Sequence, residues 1–425
     1  MKAMENRERG SAGQHQAVLE LVEQGAAMKK GWQTKTIGDV CDVMNGGTPK
    51  TGVPEYWDGN HRWITPAEMG KRVSPYVSDT ERKITDLGLR DSSARMLPPN
   101  SVILSSRAPI GHLVINTEPM GTNQGCKGLI PRSQIEHKFL YYYLSSIVDL
   151  LNSLGTGATF KELSGGKLKE VNVPVPPLAE QQRIVGLLDE AFEGLATAKA
   201  NAEKNLQNAR ALFQSHLQSV FTQGGPGWVD TSLGDFCSFE NGDRGTNYPS
   251  KSARTATGIP FINAGHLTDD GIDLETMDYI PRERFDLLSN GKIRTGDILF
   301  CLRGSLGKFA TVGDLSEGAI ASSLVIVRPD KTVLNDFLVA YFRSPLCAAM
   351  INRFKNGAAQ PNLSAKSLRN FIAPVPRLAK QESVVEQLTD LREETQRLAR
   401  LYERKHAALE ALKKSLLHQA FTGEL

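Results

Sequence analysis

Arg107 and Arg303 stand 196 residues apart, each in a glycine-bounded turn after an apolar run. A guanidinium stays charged and carries five donors in a rigid fork. In such a turn it can clamp a phosphate or tie its own loop to a carbonyl or acid, and the sequence weighs the two uses equally. Groups for covalent chemistry are missing where they would be expected. Pro98-Pro99 is preceded by Leu97 and followed by Asn100, which is not the polar-Pro-Pro-aromatic loop that holds an extruded base. Gly47-Thr48-Pro49-Lys50-Thr51-Gly52 begins like a phosphate loop, but Val53 stands where lysine is required. Gly304 to Gly307-Lys308 is too short for one, and Pro329-Asp330-Lys331 lacks the later acidic-x-Lys element of a metal nuclease. These residues point to binding and positioning.

The elements that must position them come twice. Gly31-Trp32, Gly38-Asp39-Val40-Cys41 and Asn45-Gly46 recur as Gly227-Trp228, Gly234-Asp235-Phe236-Cys237 and Asn241-Gly242, at an offset of 196. Pro174-Val175-Pro176-Pro177-Leu178-Ala179-Glu180-Gln181 recurs as Pro374-Val375-Pro376-Arg377-Leu378-Ala379-Lys380-Gln381 at an offset of 200, as does the closing pair Phe221-Thr222 in Phe421-Thr422. A repeat of about 200 residues is too long for a solenoid unit and suits a duplicated domain-plus-helix module. Two such units can be related by a pseudo-twofold axis, the symmetry of duplex DNA. Within each copy, short apolar runs predict strands: Arg62–Thr65, Ser101–Leu104 and His112–Ile115, then Pro260–Asn263, Asp297–Phe300 and Ser323–Val327. Helices are expected at Lys138–Leu144 and Asp336–Phe342.

After each proline cluster a long helical pattern runs, over 178–221 and 378–420, with Pro177 and Pro376 marking the starts. Heptad spacing predicts a seam through Ile184, Leu188, Ala191 and Leu195, continuing to Leu212. Its partner runs through Val384, Leu388, Leu391, Leu398, Leu409 and Leu412, with polar interruptions at Asn205 and Lys405. About 43 residues at about 1.5 Å each make a rod of about 65 Å. Packing the two seams antiparallel buries both. The expected fold class is α+β, with two repeated mixed α/β domains separated by two long antiparallel coiled-coil helices in pseudo-twofold arrangement. The expected boundaries are 28–177 for the first domain, 178–226 for its helix, 227–376 for the second domain and 377–425 for the C-terminal helix. Residues 1–27 match nothing in the second half and read as a tail, disordered or lying ahead of a native start at Met28.

The 425 residues are 40% hydrophobic and 7% aromatic, enough for real cores. A net charge of +3 neither requires nor excludes an acidic partner. Neither a membrane-spanning run nor a signal peptide is apparent. Five cysteines form neither a C-x-x-C pair nor a histidine cluster, and repeat-equivalent Cys41 and Cys237 read as buried core residues. A cytoplasmic location is expected.

On these repeats, with Asn45-Gly46-Gly47-Thr48-Pro49, Arg107-Ala108-Pro109-Ile110-Gly111 and Thr122-Asn123-Gln124-Gly125-Cys126, the chain resembles the specificity subunit of type I restriction-modification enzymes over about 28–425. The resemblance implies a non-catalytic subunit with two target-recognition domains, each reading half of a bipartite site in double-stranded DNA. It implies two methyltransferase subunits that use S-adenosylmethionine on adenine, and motor-nuclease subunits that use ATP and Mg; this chain itself would bind no cofactor. The second copy has Gly242-Asp243-Arg244-Gly245 in place of Gly46-Gly47-Thr48-Pro49, and Ala321-Ser322-Ser323 near Gln124-Gly125-Cys126, so an asymmetric target is expected. Two alternatives are a specificity chain of a related methyltransferase or nuclease acting alone, and a coiled-coil scaffold that ignores DNA.

DNA contacts would come from basic and amide side chains, cations on phosphate for affinity, Arg on guanine and Asn or Gln on adenine for base choice. Candidates are Lys50, Arg62, Lys71, Arg72, Arg107, Gln124 and Lys127 in the first domain and Arg244, Lys251, Arg254, Arg303 and Lys308 in the second. The recurrence of Arg107 as Arg303 favours a shared backbone contact over base reading. Gly157–Ser164 matches Gly357–Ser364 and reads as a hinge or cap, with Lys161 and Gln360 as further possible contacts.

Overall fold

The structure, a computed structural model, describes residues 29–157, 161–269, 271–357 and 361–425. The tail expected over 1–27, and Gln360, lie outside these residues. The chain divides into two compact units, one reaching to Asn201 and including Lys405–Leu425, the other Ala202–Arg404.

In the first unit the main sheet has the order β2-β10-β7-β8-β4, formed by Cys41–Asn45, Cys126–Pro131, Val102–Ser106, Ile110–Asn116 and Tyr76–Val77. A smaller sheet, β5-β3-β9-β6, joins Arg82–Ile84, Trp57–Ile64, Met120–Thr122 and Met96–Leu97, and β1 (Gln33–Thr36) pairs with β11 (Asn172–Val175). Strand side chains alternate between faces. Val102 and Leu104 therefore enter one core with Phe139 and Leu140 of the helix His137–Ser146, while Ile103 enters another with Ile64 and Met120 of the smaller sheet. Both faces of the main sheet are covered, so these strands read as continuous apolar runs rather than an alternating pattern.

The second unit repeats the plan. Its main sheet is β13-β21-β18-β19, formed by Cys237–Asn241, Leu324–Pro329, Ile298–Cys301 and Phe309–Thr311. Ile298 and Phe300 enter one core with Phe337 and Leu338 of the helix Asn335–Arg343, and Leu299 enters the opposite core. A sheet of order β17-β14-β20 covers Asp278–Ile280, Ile259–Ile262 and Ala319–Ile320, β15 (Leu267–Thr268) pairs with β16 (Gly271–Ile272), and β12 (Val229–Ser232) pairs with β22 (Ile372–Val375). Both sequence offsets meet in this last ladder, since Gln33 faces Val175 and Val229 faces Val375. The cysteines of the described residues are all free and buried; burial pushes the thiols of Cys41 and Cys126 up to about 12 and raises that of Cys237.

The long helices are Leu178–Gln223 and Leu378–Thr422, starting one residue after Pro177 and two after Pro376. In the first unit Ile184 and Leu188 share a core with Leu417 and Ala420, and Lys199 pairs with Glu410 at 2.8 Å, so the two segments run antiparallel. Phe421 packs edge-on against Phe139 and Tyr143 there. In the second unit Leu217 and Phe221 share a core with Val384 and Leu388, Arg210 pairs with Glu403 at 2.9 Å, and Phe221 packs on Phe337 and Tyr341.

One expectation for the seam fails. Leu412 is 47% exposed and Leu212 52%, although heptad spacing puts both on the seam. Ala202 and Ala209 are buried and Phe213 is half-buried, with Leu206 between them; on the other helix Tyr402, His406 and Leu409 are half-buried. At the polar positions Asn205 and Lys405 the contact line moves on by one residue. A 4-4-3 step replaces 4-3, which follows the 3.6-residue turn of a straight helix better than a strict heptad does.

The two long helices start on identical clamps. Gln181 is fully buried; its amide nitrogen donates to the Gln134 carbonyl at 2.9 Å and the Pro176 carbonyl at 2.8 Å, and its oxygen accepts from the Glu136 amide at 2.8 Å. Gln381 donates to Thr332 at 2.9 Å and Pro376 at 2.8 Å and accepts from Leu334 at 2.8 Å. Each glutamine thus fills three backbone groups that a proline-led helix start and a buried loop would otherwise leave unsatisfied.

Candidate nucleic-acid interface

Arg107 follows the last residue of β7, and its turn is stitched to the segment before β11. Arg107 bridges Glu162, the Leu163 amide donates to the Ser106 carbonyl at 2.9 Å, and Thr156 and Glu162 exchange backbone bonds of 3.0 and 2.9 Å. In the second unit Arg303 bridges Asn362, Leu363 donates to Leu302 at 2.8 Å, and Asn356 and Asn362 exchange bonds of 2.9 and 2.8 Å. The two frames match bond for bond.

Their side chains differ. In the first unit Glu162 lies 3.6 Å from the Arg107 guanidinium and 3.9 Å from the Lys127 ammonium. Lys127 is buried on β10 beside this turn. Gln124 is exposed on the adjoining loop, whose Asn123 side chain donates to the Thr48 hydroxyl at 3.1 Å. Arg107, Gln124 and Lys127 therefore gather at one end of the main sheet, with Glu162 among them. Lys161 is exposed next to Glu162, and Lys50 is exposed beyond β2. In the second unit the same sheet end carries Arg303, exposed, and Arg244, which donates to the Ser322 carbonyl at 3.2 Å. Ser323 accepts from the Leu302 amide at 2.8 Å, which joins these two loops. Among the described residues no acid lies within ion-pair distance of Arg303. Lys308 follows in the next turn, half-buried, and Lys251 is exposed on a separate loop.

Three candidates are held inside their own domains. Arg72 donates to Glu68 at 2.6 Å and to the Asp79 carbonyl at 2.7 Å, and Glu68 is buried. Arg62 lies 3.4 Å from Asp79. Arg254 pairs with Asp278 at 2.6 Å while covering the Phe261 ring. Lys71 is exposed and 3.4 Å from Glu81. Burial and a fixed acid partner reduce what the first three can offer an outside phosphate.

The description of a type I restriction modification DNA specificity domain matches residues 29–206 and again 226–403. The chain belongs to this family. The specificity subunit of the type I restriction enzyme MjaIX from Methanocaldococcus jannaschii is 29% identical over 386 residues, covering 84% of this chain and 87% of that protein. The EcoBI specificity subunit of Escherichia coli is 23% identical over 352 residues, covering 77% and 74%. The HsdS subunit from Thermoanaerobacter tengcongensis superposes with a TM-score of 0.63 at 21% identity, covering 94% of this chain and 98% of that one. A chain from a structure of type I R-M complex assembly and conformational transition gives 0.77 at 20% identity, covering 94% and 99%. At such identities the two structures speak for the fold alone.

Within this specificity-family chain, Glu162 and Asn362 were not legible as site residues, because only the fold brings them to the arginine turns. The match of Gly157–Ser164 with Gly357–Ser364 already sets Glu162 against Asn362, but the sequence does not say that this pair lies beside the arginines. Arg82, in the smaller sheet, stacks 3.8 Å over the Trp57 ring and faces Trp63. No helix of the described residues is long and apolar enough to cross a membrane.

Proposed function

We propose that this chain is the DNA-reading specificity subunit of a type I restriction-modification complex. Each domain lies against one half of a bipartite site, and the two long helices set the unread gap and dock methyltransferase subunits. Chemistry is supplied by those partners: S-adenosylmethionine-dependent methylation of adenine, and ATP- and Mg-dependent motor and nuclease steps. The observation that carries the reading is the matched backbone frame around Arg107 and Arg303 with unlike polar groups on it. A shared frame serves shared geometry, while changed side chains serve two different half-sites.

Helices of about 65 Å reach nearly two turns of B-DNA at about 34 Å per turn, room for two short half-sites and a spacer. Removing one heptad from each long helix shortens the rod by about 10 Å, equivalent to about three base pairs. Methylation mapping of that variant with its methyltransferase subunits should show the same half-sites and a shorter gap. An unchanged gap would reject the ruler.

A further inference from the structure

We propose that Glu162 attenuates phosphate contact by the first domain, so that the second domain, with Asn362 at the same place, carries the larger share of salt-sensitive DNA affinity. This rests on the DNA-reading function above. The two positions occupy superimposable roles: each bridges its arginine, each exchanges two backbone bonds with the residue six before it, and each is followed by a leucine amide bonded to the residue before the arginine. The bonds of this shared frame therefore do not distinguish the two sheet ends. Charge does. The first end holds Arg107 and Lys127 against the Glu162 carboxylate at 3.6 and 3.9 Å, with exposed Lys161 next in the chain, and Lys127 is 7% exposed. The second end holds Arg244 and Arg303 with no carboxylate among the described residues within ion-pair distance of Arg303, and both arginines are exposed.

Glu162 is itself 44% exposed, so its pairings add little to folding. Its carboxylate faces the same solvent from which a phosphate would approach. A phosphate must displace it to reach Arg107, whereas the residue bridged to Arg303, Asn362, carries no charge. Each phosphate neutralised adds about 0.9 to the slope of log affinity against log salt.

The test uses the complex of this chain with its methyltransferase subunits and a duplex carrying its methylated site, with affinity measured across a fourfold rise in KCl. Glu162→Gln should bind more tightly and steepen the slope by about one, so that affinity falls about fourfold further over that range. Asn362→Glu should bind more weakly with a slope shallower by about one, and the double exchange should return the slope to that of the unsubstituted complex. Thermal melting of the variants should be unchanged, which separates the effect from misfolding. Equal slopes in all four complexes, with DNA bound, would overturn the proposal while leaving DNA reading intact. If no complex binds the duplex in any salt, DNA reading itself fails and the proposal with it.

Discussion

Gln181 donates its side-chain amide to the Gln134 carbonyl at 2.9 Å, joining the first turn of a 46-residue helix to the loop before the helix His137–Ser146. Gln381 makes the same bond to Thr332 at 2.9 Å. Both amides are fully buried, so the groups they serve have no water to fall back on. Replacing either by glutamate keeps an acceptor and removes both donated bonds, stranding two carbonyls at about 1–3 kcal/mol each. Gln181→Glu and Gln381→Glu should lower stability alike in denaturant titrations of the full chain. A loss confined to one of them would show that the clamps are not equivalent.

Arg328 donates to Asp297 at 2.6 and 2.8 Å and to Glu240 at 2.5 Å, and Asp297 is buried. In the first domain the corresponding positions hold Ile130, Ser101 and Met44, a solution of the same site without charges. Breaking a buried pair from one side costs about 3–5 kcal/mol, whereas replacing the whole set by apolar groups is near neutral. Arg328→Ile alone should therefore destabilise the second domain by that amount. Adding Glu240→Met and Asp297→Ser should recover most of it, as read by thermal unfolding.

The same network sets a pH dependence. Burial by itself would raise the pKa of Glu240, but the Arg328 contact and the Gly291 amide hold it below the usual carboxylate range. A depressed carboxylate stabilises the fold above its unfolded value of about 4.3, and that stability is lost as pH falls through the lower folded value. Going from about pH 5 to about pH 3, the unsubstituted chain should lose more stability than the triple variant. Parallel pH profiles would contradict this.

Arg72 is placed as a structural residue. Arg72→Ala leaves the buried Glu68 carboxylate with its Glu81 amide contact alone, a loss of about 3–5 kcal/mol. The salt slope of DNA binding by the complex should not change. A slope shallower by about one, without destabilisation, would return Arg72 to the DNA surface.

Much of the frame was legible because it depends on local signals that occur twice. Prolines at 176–177 and 376 announce helices that start at Leu178 and Leu378, and apolar runs announce strands such as Val102–Ser106 and Ile298–Cys301. The strands at Asn172–Val175 and Ile372–Val375 were not legible, because their prolines argue against a ladder; each sits in a two-stranded sheet. Leu412 misled because heptad arithmetic drifts against a straight helix over many turns. Charge partners separated by 31 to 88 residues, such as Asp297 and Glu240 about Arg328, leave no local trace. For the same reason Lys127, paired with distant Glu162, looked like a surface cation from sequence; Arg72 looked like one although its partner Glu68 is only one helical turn away.

The most direct test of DNA reading is a genome-wide map of N6-methyladenine in cells expressing this chain with its methyltransferase subunits. It should show one bipartite motif, with two dissimilar half-sites and a fixed unspecified gap, that disappears when this chain is left out. A contiguous motif, or methylation that persists without the chain, would contradict two domains reading two words of DNA.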